Sequence, residues 1–167
     1  RMQTSPAQAG QKGWDKLLSV LMLVFGMGVY LVPGLDVIRF GWTERLPVWV
    51  EVAAMAAHLP CFVALGWVMR ENTYLSRVVK IDKPRDHHVI TTGPYAVVRH
   101  PMYMVVIPML AAFSLALGSR LGLIPAALMA ALLVVRTALE DRTLHAELPG
   151  YPEYAAKTRY RLIPGIW

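Results

Sequence analysis

The stretch Gly93-Pro-Tyr-Ala-Val-Val-Arg-His-Pro-Met-Tyr103 concentrates residue types that bind small charged ligands. Pro101 suits the first position of a helix, because its missing N–H would have no partner there. The residue before a proline is held extended, which puts His100 at the helix mouth. Helix N-termini present unpaired N–H groups and about half a positive charge, so a carboxylate is favoured beside them, and Arg99 adds to that field. Tyr95, His100 and Tyr103 supply flat rings able to flank a nucleobase. The same residues also fit plain interfacial anchoring, with Pro101 as no more than a helix start.

A second constellation consists of Arg136, Glu140, Thr143 and Glu147, whose spacing puts them on one helix face. Charge at the centre of a bilayer costs ~2.5–3.5 kcal/mol per residue on insertion scales. Arg136 and Glu140, just beyond an apolar run, therefore belong at the membrane boundary or in a polar cavity. A fixed carboxylate in a partly dry site recognises a cationic ligand strongly. The simpler alternative is an interfacial arginine with a helical ion pair worth ~0.2–0.5 kcal/mol. Gly150, Tyr151 and Tyr154 then make a turn and a short aromatic segment before Arg159-Tyr-Arg-Leu-Ile-Pro164. That tail either folds back over the site or lies on the membrane surface.

The elements that must position these residues are apolar. Of the 167 residues, 56% are hydrophobic and 17% charged, where an ordinary soluble domain carries about 25% charged residues. The net charge of +6 sits among long apolar runs, a pattern that faces anionic lipid headgroups and not nucleic acid. Leu17 to Leu35 has no charged residue over 19 positions, a rise of roughly 28 Å as a helix against ~30 Å of hydrocarbon. Leu46 to Met69 is a second span, with Glu51 near one end, His58 inside and Pro60 at a tolerated kink. Pro101 to Gly118 and Leu121 to Val135 are separated only by Ser119 and Arg120 and predict a helical hairpin. The last helix should continue past the bilayer through Arg136 toward Leu148 as an amphipathic extension.

These runs predict an all-α, multi-pass membrane bundle of about four transmembrane helices ending in a hairpin, with a loop and C-terminal segment closing a cofactor pocket. Residues 1–13 read as a polar tail and 14–167 as the membrane-integrated domain. Of the 17 lysines and arginines, all but Arg39, Arg45 and Arg120 lie in residues 1–16, 70–100 and 136–167. The positive-inside bias thus expects both termini and the central loop in the cytosol. The single cysteine, Cys61, excludes an internal disulfide and reads as a buried small hydrophobe. Gly26 and Gly28 open a dinucleotide fingerprint that nothing completes at position 31, and their place inside a span makes them a packing feature. The five histidines show no helical spacing of three or four, so no metal site is expected.

Several strings carry a family resemblance: Asn72-Thr-Tyr-Leu-Ser76, His88-Val-Ile-Thr-Thr-Gly-Pro-Tyr95, Arg99-His-Pro-Met-Tyr103, Arg136 with Glu140-Asp141, Gly150-Tyr-Pro-Glu-Tyr154 and Arg161-Leu-Ile-Pro-Gly165. In that order, from Asn72 to Trp167, the chain resembles the isoprenylcysteine carboxyl methyltransferase family, and specifically its small bacterial membrane-integrated members. Weaker similarity extends back through Leu35-Asp-Val-Ile-Arg-Phe-Gly-Trp42. The family's paired glutamates are Glu140 and Asp141 here.

The resemblance implies an S-adenosylmethionine-dependent enzyme of a bacterial cytoplasmic membrane that methylates a lipophilic or amphiphilic acceptor at the cytosolic interface. By family pattern Tyr95, His100, Pro101, Tyr103, Arg136 and Glu140 line the cofactor site, and Asn72, Ser76 and Tyr154 lie toward the acceptor. For an anionic acceptor, Arg99 or Arg161 would orient it while Glu140 holds the cofactor. An amine acceptor would need a base, which His100 or Glu140 could supply. Two other classes stay open at this point. A sterol-type membrane reductase would bind NADPH at a related place, although its phosphates demand more clustered basic residues. A small transporter or scaffold would instead use Glu51, His58 and Pro60.

Overall fold

The computed structural model of the protein describes residues 13–72 and 89–167. Ser76 and most of the expected polar tail lie outside the described residues. The chain forms α1 (Gly13–Pro33), α2 (Val48–Glu71), a 3-10 turn at Gly93–Ala96, α3 (Pro101–Ala116), α4 (Leu123–Glu147) and α5 (Tyr151–Lys157). α1 runs on without interruption into a π-helical segment, Gly34–Phe40.

Among the described residues three helices are long and apolar enough to cross a membrane: Gly13–Phe40, Val48–Glu71 and Leu123–Glu147. α3 is shorter, its 16 residues rising about 24 Å against ~30 Å of hydrocarbon. It ends at Ala116, ahead of the expected Gly118, because Gly118 turns left-handed at φ 76° and its amide bonds back to the Leu115 carbonyl at 3.0 Å. α3 and α4 form the expected hairpin across that turn.

The helices pack in the spatial order α2, α3, α4, α1. Leu23, Met27, Leu59 and Val63 are exposed on the outside of α1 and α2, the arrangement of helices whose surroundings are apolar. The α1–α4 contact is close. A Cβ added at Gly28 would stand 3.1 Å from the Pro125 Cβ, so the glycine lets the two backbones approach, as small residues do between membrane helices. Gly28 is thus part of a packing surface.

At the end of the bundle that carries the hairpin turn, Asp36 is wholly buried. It accepts hydrogen bonds from the Thr43 N–H (2.9 Å), the Thr43 hydroxyl (2.8 Å) and the Ser119 hydroxyl (2.6 Å). Ser119 Oγ in turn accepts from the Gly122 N–H at 3.0 Å. This clasp fixes the start of α4 against the end of α1. The polar residues of α2 are engaged locally: Glu51 pairs with Arg45 at 3.1 Å, and His58 Nδ1 lies 2.9 Å from the Ala54 carbonyl of its own helix, with its ring edge toward Phe113.

Candidate active site

The opposite end of the bundle gathers the polar residues singled out by the sequence. Gly93 starts the 3-10 turn at φ 57°, a left-handed conformation that favours glycine. Glu71, the last residue of α2, accepts a short hydrogen bond from the Thr92 hydroxyl. The neighbouring Asn72 Nδ2 donates to the Tyr95 hydroxyl at 2.8 Å. Tyr154 of α5 donates to the Tyr95 carbonyl at 2.7 Å. Asn72, Tyr95 and Tyr154 therefore form one connected chain. Burial pushes the Tyr95 hydroxyl up to about 12; the charge of Glu140 adds to the rise and the bond from Asn72 opposes it.

Pro101 is the first residue of α3, and His100 caps it with an extended-side φ of −125°. The tail folds back onto this entrance. The Arg99 N–H donates to the Tyr160 carbonyl and the His100 N–H to the Arg161 carbonyl, both at 2.9 Å. Leu162 and Trp167 pack with Tyr103 and Leu133. Of the two expectations for the tail, the structure contains the fold-back.

Asp141 lies at the centre of the cluster. Its two oxygens receive Arg99 Nε (2.8 Å), Arg99 Nη2 (3.1 Å), Arg161 Nε (2.8 Å) and the Tyr151 hydroxyl (2.9 Å). Arg99 Nη1 completes its set on the carbonyls of Thr158 (2.9 Å) and Arg159 (2.8 Å). Burial works against the Arg99 charge, yet the bonds and attraction of Asp141 outweigh it and hold the guanidinium above its ordinary value. Burial, and then the Asp141 charge, drive the Tyr151 hydroxyl well above its usual range. The Tyr154 hydroxyl is likewise raised, first by burial. Arg161 differs from Arg99 in exposure, 31% against 7% for the side chains. Its guanidinium also lies 5.0 Å from the Trp167 ring centroid.

His100 is buried, with its ring nearly parallel to that of Tyr103 at 6.1 Å between centroids. Its Nε2 stands 3.5 Å from Asp141 Oδ1 and makes no hydrogen bond. Next to it, the Tyr103 hydroxyl donates to Glu140 Oε2 at 2.9 Å. One turn earlier on α4, the buried Arg136 reaches across to α1, where its Nη2 lies 3.0 Å from Asp15 Oδ1 and its Nη1 lies 3.5 Å from the Met22 sulfur.

The sequence-predicted residues are thus drawn into three linked groups: Asn72 with Tyr95 and Tyr154, Arg99 and Arg161 on Asp141 beside His100, and Tyr103 with Glu140. Arg136 joins them through α4. Three residues that shape the cluster were not among those expectations: Asp141, Tyr151 and Asp15. Asp141 was visible as half of an acidic pair and Tyr151 as part of the aromatic close. Asp15 carried one signal, a lone carboxylate ahead of a span, which gains meaning only once a buried arginine needs a counter-charge.

An apolar helical bundle with a buried charged cluster at one end has the architecture of a membrane protein. Residues 52–146, more than half of the chain, match the model of the isoprenylcysteine carboxyl methyltransferase family, and the chain belongs to that family. It is a membrane methyltransferase. The matched segment runs from α2 almost to the end of α4, so it holds Arg99, His100, Tyr103, Arg136 and Glu140 but neither α1 nor the tail. No curated protein matches the chain.

Proposed function

We propose that residues 14–167 form an S-adenosylmethionine-dependent methyltransferase acting on a lipophilic or amphiphilic acceptor at the cytosolic face of a bacterial cytoplasmic membrane. The observation that carries this reading is the pair of polar side chains at the entrance to α3, one of them a buried imidazole whose Nε2 has only the Asp141 carboxylate, at 3.5 Å, beside it. His100 Nε2 is buried without a hydrogen bond, and Glu140 is bonded through Oε2 to Tyr103. A buried polar atom without a partner is costly unless a ligand supplies one. The donor set fits the cofactor: a carboxylate suits its ammonium and sulfonium, an imidazole nitrogen suits a hydroxyl or amine of the nucleoside, and the aromatic rings suit adenine.

When bound, S-adenosylmethionine supplies a methyl group activated by its sulfonium. The residues of this chain supply position and dryness. Tyr103 fixes Glu140, and Glu140 holds positive charge in place. Arg99 commits its donors to Asp141 and to the Thr158 and Arg159 carbonyls, so it acts as the fastening of the tail. Arg161 spends Nε on Asp141 and, being partly exposed, is the better placed of the two to orient an anionic acceptor. Asn72 and Tyr154 belong to the acceptor side, a role the family resemblance also gives to Ser76. The folded-back tail and apolar outer surfaces keep water from the reacting groups, and well-oriented reactants recover ~7–11 kcal/mol of barrier. The acceptor atom is a carboxylate or thiol, or an amine whose proton passes to His100 or Glu140.

The test is thermal protection of the purified protein in detergent. S-adenosylhomocysteine should raise the melting temperature and NADPH should not. His100→Ala and Glu140→Ala should remain folded and lose the protection. Protection by NADPH alone, or full protection in both variants, would overturn the reading.

A further inference from the structure

We infer that a lipid-facing furrow between α1 and α2 binds an uncharged membrane alcohol, whose hydroxyl donates to His58 Nε2. The site is separate from the cluster around Asp141 and does not rest on the function proposed above.

α1 and α2 both pack on α3, and among the described residues they make no extended contact with each other. α3 thus forms the floor of a furrow whose walls are α1 and α2. Phe113 of α3 marks that floor, because its ring meets Tyr30 of α1 edge-on at 5.0 Å and His58 of α2 at 6.5 Å between centroids. Phe62, one turn beyond His58, brings another ring to 6.1 Å from the imidazole. Counted along α3 from Pro101, Phe113 lies about 18 Å from the entrance that faces the Asp141 cluster.

Between these apolar walls His58 carries one polar atom that nothing satisfies. Its Nδ1 lies 2.9 Å from the Ala54 carbonyl. A carbonyl oxygen only accepts, so in the uncharged ring that suits an apolar span the proton is on Nδ1. Nε2 is then a bare lone pair, buried and without a hydrogen-bond partner among the described residues. In hydrocarbon no water stands ready to donate to it, so the cost of leaving it unpaired is carried in full. The missing partner is therefore a donor that arrives through the lipid. An ammonium is disfavoured there by its charge, and an amide N–H brings a carbonyl that needs a partner of its own. A hydroxyl on an apolar molecule has neither fault, and the body of that molecule lies against Tyr30, Phe62 and Phe113. Nε2 has no open surface of its own, so the alcohol reaches it by displacing a ring, and Phe62, 57% exposed, has room to turn.

Nitrogen NMR of the full chain, isotope-labelled at its histidines and held in nanodiscs of phosphatidylcholine, reads the two ring nitrogens separately. The His58 signals are those missing from His58→Phe, or from His58→Gln should the first variant not fold. Without ligand, His58 should show a protonated Nδ1 and a bare Nε2. Dodecanol should move the Nε2 resonance saturably toward that of a hydrogen-bonded acceptor. Dodecyl methyl ether, which keeps the chain and the oxygen but has no donor, should leave it in place. Dodecanol should also raise the melting temperature of the wild type above the value in the ether, and the variant that folds should lose that difference. A proton on Nε2, an Nε2 resonance that answers alcohol and ether alike or answers neither, or a melting difference that survives the loss of the imidazole would each overturn the inference.

Discussion

Asp141 shows how much one carboxylate can organise. It accepts from Arg99, Arg161 and Tyr151, residues that belong to the α3 entrance, the tail and α5. A buried ion pair adds little net stability when intact, because desolvation offsets attraction, but removing one partner leaves the other charge buried and uncompensated. Asp141→Asn should therefore destabilise the protein by ~3–5 kcal/mol, read from unfolding midpoints in detergent, whereas Glu153→Gln on the exposed side of α5 should shift them little. Equal shifts would show that the hub bears no special load. The sequence exposes Asp141 as the neighbour of Glu140 but not its role, since its partners stand 42, 20 and 10 residues away. A single chain read in order cannot display such convergence. His100, Tyr103 and Glu140 were legible because proline, a helix start and a helical spacing all act locally.

Helices are the part most plainly written in the chain. The apolar runs from Leu17, Leu46, Pro101 and Leu121 match α1 to α4, and α4 continues beyond its apolar half to Glu147 as its polar face requires. The π-helical segment Gly34–Phe40 was not legible, because Asp36, inside it, is held by Ser119, 83 residues distant. The hairpin depends on the same clasp. A Cβ at Gly122 would fall 2.7 Å from Pro33 Cγ and 3.0 Å from Ser114 Cβ and Oγ. Gly122→Ala should accordingly destabilise by ~1–3 kcal/mol, the usual cost of overpacking, and lower the melting temperature in detergent. An unchanged melting temperature would mean that the turn relaxes without strain.

At the scale of the molecule, the two ends differ in chemistry. One end holds the Asp36 clasp and exposes Arg39, Phe40 and Trp42, with the two rings stacked at 4.8 Å. The other gathers the Asp141 cluster and, among the described residues, most of the positive charge. The positive-inside bias predicts that the cluster faces the cytosol. A cysteine placed at Trp42 in a Cys61→Ser background should react with an impermeant maleimide from outside intact cells, and one placed at Lys157 only in inside-out vesicles; the reverse pattern would invert the topology. The Asp15–Arg136 pair has a bearing on how the polypeptide is made. Its carboxylate stands on the first turn of the earliest span described and its guanidinium on the latest. Synthesis in chain order thus leaves this α1–α4 link unmade until α4 arrives, so the packing of the first span described is completed late.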